Sequence, residues 1–153
     1  MEKEKFRQRH QVRVRSYEVD WQGIVHNGNY LLYCEIGRME YMKQLGARID
    51  LASLKYDSKV VLVRNEIDYK SPARFDDLLT VYTRVSAIRN TSFVMEGILE
   101  NADTGERLAE NVAYHVWLDP GTTRPRSVPD EFRKLIQSFE GGDCEMFWPS
   151  VKV

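Results

Sequence analysis

From Asn29 to Leu45 the chain reads "NYLLYCEIGRMEYMKQL", with no proline. Positions 30, 34, 37, 41 and 45 recur at the spacing of one helical face. Leu31, Leu32, Tyr33, Ile36, Met39 and Met42 make the other faces apolar too. A helix of this kind has to be largely buried. Gly46 is a stop signal at its end. Gly37 sits mid-helix, where glycine costs about 1 kcal/mol against alanine. Its use there predicts a close approach of the helix backbone to a sheet.

The remaining chain supplies strands. Gln11–Tyr17 sets Val12, Val14 and Ser16 against Arg13, Arg15 and Tyr17, an alternation with the period of a strand. Val60–Tyr69 is a second strand, ended by "PARFDD" (72–77), since proline removes a ladder donor. Leu79–Ala87 alternates again, Arg89-Asn90-Thr91 turns, and Phe93–Leu99 forms the next strand. "NADTGE" is a hairpin loop leading to a long strand over Arg107–Leu118. After the irregular stretch "DPGTTRPRSVP", Pro129–Phe139 predicts a short helix with Asp130 and Glu131 in its first turn. The order of strand, long apolar helix and four strands predicts an α+β layer arrangement. One sheet cannot enclose such a helix on every side, so a dimer or larger assembly is expected.

A length of 153 residues predicts a single domain over 1–153, with 140–153 as a C-terminal tail that packs as an edge or is mobile. A chain of this size buries about two-thirds of its unfolded surface. The formal net charge of −1 argues against a nucleic-acid partner, and the basic N-terminal stretch reads as an edge strand. Cys34 and Cys144 make no disulfide framework and no zinc spacing, and Cys34 reads as a small buried residue. There is no signal peptide and no integral membrane segment in the pattern, which predicts a cytoplasmic protein.

Between the first strand and the helix lies "DWQGIVHNGNY" (20–30). Together, "SYEVDWQGIVHNGNYLLYCEIGRMEYMKQLG" and "IDYKSPARFDDLLTVYTRV" resemble the hot-dog-fold acyl-CoA thioesterases. The resemblance is to the 4-hydroxybenzoyl-CoA thioesterase family and its YbgC-like branch. It rests on Asp20, Gly23, Ile24, Val25 and Tyr30, on Glu35 and Arg38 in the helix, and on the Pro-Ala-x-Phe-Asp-Asp turn. It covers residues 10 to 120. The chain departs from the branch at Asn27, where a histidine is common, and at His26, where an aromatic is frequent.

The resemblance implies a long central helix wrapped by an antiparallel sheet of about five strands. Sheets join edge to edge in a homodimer, dimers often pair into a homotetramer, and active sites lie at the dimer interface. It implies hydrolysis of an acyl-CoA, with Asp20 as nucleophile or general base. Coenzyme A enters as part of the substrate, with no other cofactor and no metal. The first N–H groups of a helix have no intrahelical partner and carry the positive end of its dipole. The one near Asn27 is expected to polarise the thioester carbonyl, a contribution on the order of 3 kcal/mol. Gly23 and Gly28 permit close ligand approach. His26 is expected to orient substrate, share a proton with Asp20 or line the pocket. Tyr30 is expected at the base of the site, and Glu35 beside Arg38 in a structural role. His115 reads as structural.

No Walker loop or GxGxxG fingerprint is present to hold the phosphates of coenzyme A. Arg89, Asn90, Thr91 and Ser92 match a region that relatives use, and Ser71 and Arg74 are further binding candidates. Asp76 and Asp77 read as turn caps. A substrate borne on acyl carrier protein is an alternative, favoured if Arg84, Arg89 and Arg107 form a basic patch. A non-catalytic acyl-CoA-binding protein is another.

Overall fold

The computed structural model describes residues 1–46 and 59–149; positions 150–153 of the expected tail lie outside the described residues. The elements are β1 (Gln8–Arg13), α1 (Asn27–Gln44), β2 (Lys59–Tyr69), β3 (Leu78–Ile88), β4 (Ser92–Asn101), β5 (Arg107–Leu118), α2 (Asp130–Glu140) and β6 (Glu145–Met146). The strands form one sheet in the order β1-β3-β4-β5-β2, with β6 also alongside β3. All pairings are antiparallel except β3 with β6.

The first strand departs most from the sequence expectation. The first strand runs over Gln8–Arg13, not Gln11–Tyr17. Its ladder ends where Arg13 meets Leu78, the first residue of β3. With no partner strand beyond that point, Ser16–Glu18 winds a 3-10 turn, closed by the Glu18 carboxylate on the Arg15 N–H. The long helix starts at Asn27, in keeping with the N–H expected near Asn27, and the His26 side chain caps it. The tail pairs as an edge at Glu145 and Met146, making a sixth short strand.

Helix α1 crosses one face of the sheet, above β3, β1 and β4. At Gly37 a Cβ would lie 2.5 Å from Val81 Cγ1 and 2.6 Å from Thr83 Oγ1, so only glycine allows this approach. One cluster, with Val25, Tyr30, Cys34, Val81 and Leu99, fills the first half of the helix–sheet interface. A second, with Tyr41, Val85, Phe93 and Ile136, fills the other half beneath α2. Cys34 is buried, and burial pushes its thiol up to about 12. The opposite side of α1 stays uncovered: Leu32, Ile36 and Met39 are exposed, as are Val60, Leu62 and Val63 on β2. Among the described residues, β2 has a strand on one side only.

The end of α2 locks this second half. Glu140 is fully buried and accepts from Tyr41 Oη at 2.6 Å, the Val85 N–H at 3.2 Å and Arg7 Nη1 at 3.2 Å. The Tyr41 and Phe139 rings meet edge to face, 5.5 Å apart. Arg133 is also fully buried, and its guanidinium donates to the carbonyls of Val128, Arg89, Asn90 and Phe147. It thereby ties α2, the β3–β4 turn and the tail together.

Two outcomes follow from this packing. Gly37→Ala gains about 1 kcal/mol of helix propensity, but overpacking against Val81 and Thr83 costs about 1–3 kcal/mol. The urea midpoint is expected to fall with the m-value unchanged. Burial raises the Glu140 carboxyl above its ordinary 4.5, outweighing the bonds from Tyr41, Val85 and Arg7 that pull it down. Folding therefore favours its protonated form relative to the unfolded chain. That contribution is full below the unfolded pKa and is lost as pH rises through the folded one. Urea titrations of wild type and Glu140→Gln should show wild type losing ground as pH climbs above 4.5.

Candidate active site

The segment from Glu18 to Tyr30 folds into a tight hairpin that feeds directly into α1. Asp20 N–H donates to the Ile24 carbonyl at 2.8 Å, and Gly23 N–H to the Asp20 carbonyl at 3.0 Å. Val19 and Val25 pair beneath them. Asp20 stands at the first position of this turn, where aspartate is favoured, and Gly23, at φ 80°, takes the left-handed position that completes it. The Asp20 side chain accepts the Gln22 N–H through Oδ1 at 2.8 Å. Its Oδ2 has no partner among the described residues.

The hairpin is knitted to its surroundings. The Glu18 carbonyl accepts the His26 N–H at 2.9 Å and Asn29 Nδ2 at 2.8 Å. Ile24 pairs with Arg74, and Val25 N–H donates to the Ala73 carbonyl at 2.9 Å. Tyr30 is buried, and its hydroxyl accepts the Ala73 N–H at 2.9 Å. Tyr69, which the sequence reading did not single out, donates from its hydroxyl to the Asn27 carbonyl at 2.8 Å and packs on Tyr30 at 5.2 Å. Its place at the strand end before "SPARFDD" is the one signal that could have marked it.

At the start of α1, His26 Nδ1 accepts the Gly28 N–H at 3.0 Å, and Asn27 Oδ1 accepts it at the same distance. Asn29 N–H donates to the His26 carbonyl at 2.9 Å. Of the first three helical N–H groups, only that of Asn27 is left without an acceptor among the described residues. The expected set of free donors thus narrows to one. His26 is the helix cap, and with Nδ1 accepting, the neutral ring carries its proton on Nε2.

Asp20, His26, Asn27, Gly28, Tyr30 and Arg74 come together at one end of the sheet. Ser71 is also there, but its hydroxyl is committed to Glu106. Arg74 and Asp77 close their own turn, with the Arg74 N–H on Asp77 Oδ2 at 2.9 Å, as expected of a capping aspartate. Arg89, Asn90, Thr91 and Ser92 do not join them. They form the turn at the far end of β3, ten residues from Leu78, or roughly 33 Å of strand. Asn90 is occupied there by Ser127, at 3.1 Å. Within one chain the two groups cannot share a ligand's reacting end.

Other expectations resolve as follows. Arg38 turns away from Glu35 and donates to Asn111 Oδ1 at 3.2 Å; no ion pair links the two among the described residues. His115 is buried and stacked on Phe93 at 4.9 Å, and burial lowers it to about 4, a packed neutral ring. Arg84 pairs with Glu96 and Arg107 with Glu110, while Arg89 lies at the β3–β4 turn, so the three do not form a basic patch. Among the described residues no group of three or more His, Cys, Asp and Glu could hold a metal ion. No helix among them is long and apolar enough to cross a membrane.

Among the described residues, a carboxylate with one oxygen free and a helix start with one N–H free are groups able to act on an ester-like carbonyl. A long helix held against one antiparallel sheet is the hot-dog fold of the thioester hydrolases. The chain belongs to the Thioesterase superfamily, whose model matches residues 22–108. The acyl-CoA thioester hydrolase YbgC of Escherichia coli O6:H1 is 30% identical over 84% of this chain and 92% of its own. The chloroplastic acyl-acyl carrier protein thioesterase ATL2 of Arabidopsis thaliana is 29% identical over 85% of this chain and 68% of its own. A thioesterase from Thermus thermophilus, solved with coenzyme A and Zn, superposes with a TM-score of 0.78. It is 30% identical and aligns over 90% of this chain and 97% of that one.

The cap yields a direct test. Replacing a capping side chain by alanine costs about 1 kcal/mol. His26→Ala is expected to lower stability by that amount, and His26→Asn to restore it, as read by urea unfolding.

Proposed function

We propose that this chain hydrolyses acyl-CoA thioesters to the free acid and coenzyme A, with Asp20 acting on the thioester carbon. The observation that carries the reading is that Asp20 Oδ2 and the Asn27 N–H at the start of α1 have no partner among the described residues. The Asn27 N–H, at the positive end of the helix dipole, polarises the carbonyl as it becomes an oxyanion. Asp20 either attacks the carbon, expelling the thiolate and leaving a mixed anhydride for water to open, or takes a proton from the attacking water. Both routes give acid and thiol. Gln22 N–H holds Oδ1 and so aims the carboxylate. His26 Nε2–H remains as a second donor. The chemistry runs on these groups, and coenzyme A enters as part of the substrate.

The active assembly is a homodimer or homotetramer. Exposed Leu32, Ile36 and Met39 on α1 and the single-sided β2 support it. Antiparallel pairing of two β2 strands sets the Tyr69 end of one beside the Lys59 end of the other. The Lys59 end pairs with Leu118, and the neighbouring Trp117 N–H donates to Thr91. The turn of a second copy, with its Arg89, Asn90, Thr91 and Ser92, would then serve the phosphates of a substrate held at this Asp20. Arg74 and Gly28 serve from the near side. We read the compartment as the cytoplasm, which the two free, buried cysteines support. A carrier-protein thioester is the second substrate reading, and the similarity to ATL2 favours it.

Thiol release from short, long and aromatic acyl-CoAs and from acyl carrier protein tests both. Asp20→Asn is expected to reduce turnover by about 100- to 10,000-fold, with an unchanged circular dichroism spectrum. Wild-type rates in that variant would remove Asp20 from the mechanism.

A further inference from the structure

Trp21, the residue after Asp20, is 90% exposed. The fold does not ask for an indole there. This position of the turn accepts most residues, and the side chain lies outside both core clusters. Its backbone is nevertheless held firmly, since the Asp20–Ile24 and Gly23–Asp20 hydrogen bonds close the turn around it. The result is a large apolar side chain on a rigid mount, one residue from the reacting carboxylate. Phe75, 58% exposed, sits on the neighbouring loop that Ile24 joins through Arg74, and Tyr17, 82% exposed, lies just before the hairpin.

The chemistry of a thioester says what passes here. Its carbonyl has to reach Asp20 Oδ2 and the Asn27 N–H. Its thiol bearer, a nucleotide or a protein, is too large to enter and stays in solvent. The arm between the two therefore leaves across the surface next to Asp20. That arm is phosphopantetheine, whether the bearer is coenzyme A or a carrier protein, and its methylenes, methyls and amides suit an aromatic face. We propose that Trp21 is the platform on which the phosphopantetheine arm lies, a substrate-binding residue outside the catalytic group. The proposal rests on the reading that Asp20 works at a thioester carbon.

The test fixes the acyl group as the one wild type hydrolyses fastest and varies the thiol: coenzyme A, carrier protein, pantetheine, or N-acetylcysteamine, which keeps only the end of the arm. Trp21→Ala is expected to raise KM about tenfold, the effect of losing part of a buried indole, with kcat retained. The rise should appear with coenzyme A, carrier protein and pantetheine and be much smaller with N-acetylcysteamine. Trp21→Phe should recover most of the loss. A rise confined to coenzyme A would mean a nucleotide contact; one confined to the carrier would mean a protein contact. Either overturns the proposal, as does an equal rise with all four thiols or none with any. Altered sedimentation of Trp21→Ala would make the indole a subunit contact and overturn it too. Wild-type inactivity on every thioester is a separate result: it defeats the thioesterase reading itself, and the proposal with it.

Discussion

The contact of Gly37 with Val81 and Thr83 sets the geometry on which everything else depends. It lets the backbone of α1 lie against β3, which is why the helix can pack flat on the sheet. Because the crossing point is mid-helix, it fixes both helix ends at once. One end is delivered to the hairpin that carries Asp20. The other brings Tyr41 into the buried network around Glu140. A side chain at position 37 would lift both ends together, so a packing detail far from the hairpin controls where the first helical N–H points.

The sequence made the element types and their order readable, because the helix has a 3.6 period and the strands a period of two. Each expected strand and both helices fall within a few residues of the expected places. What periodicity could not convey was local satisfaction of polar groups. The helix start depended on a histidine acting as a cap, a role that residue type seldom signals. The end of the first strand depended on where β3 begins, a fact about another part of the chain. Arg38 chose Asn111, on a distant strand, over the neighbouring Glu35, because burial against the sheet rewards the partner that the sheet presents.

The candidate site was legible in the same uneven way. Asp20 and the residues around Asn27 are local to one motif, and they lie in one hairpin and the helix start that follows it. The Arg89–Ser92 turn was grouped with them by resemblance, yet it stands at the far end of β3. The two groups belong to one site only if a second copy of the chain supplies the turn. The uncovered side of α1 and the single-sided β2 point to the same need. A residue list drawn from one sequence merges positions that only an assembly could unite.

Capping chemistry and the proposed catalysis meet at a single atom. A helix start has donors to spare, and most are spent on its own stability. Here Gly28 N–H goes to His26, and Asn29 N–H to the His26 carbonyl. Had the cap been placed to take the Asn27 N–H as well, the helix would gain another bond and the site would lose its donor. The leftover donor is backbone, so no substitution at position 27 other than proline removes it, and α1 fixes its direction. The side chain at 27 is then free for another task, the Asn27 Oδ1 contact to Gly28. A change of side chain at this position would alter the helix start and leave the backbone N–H in place.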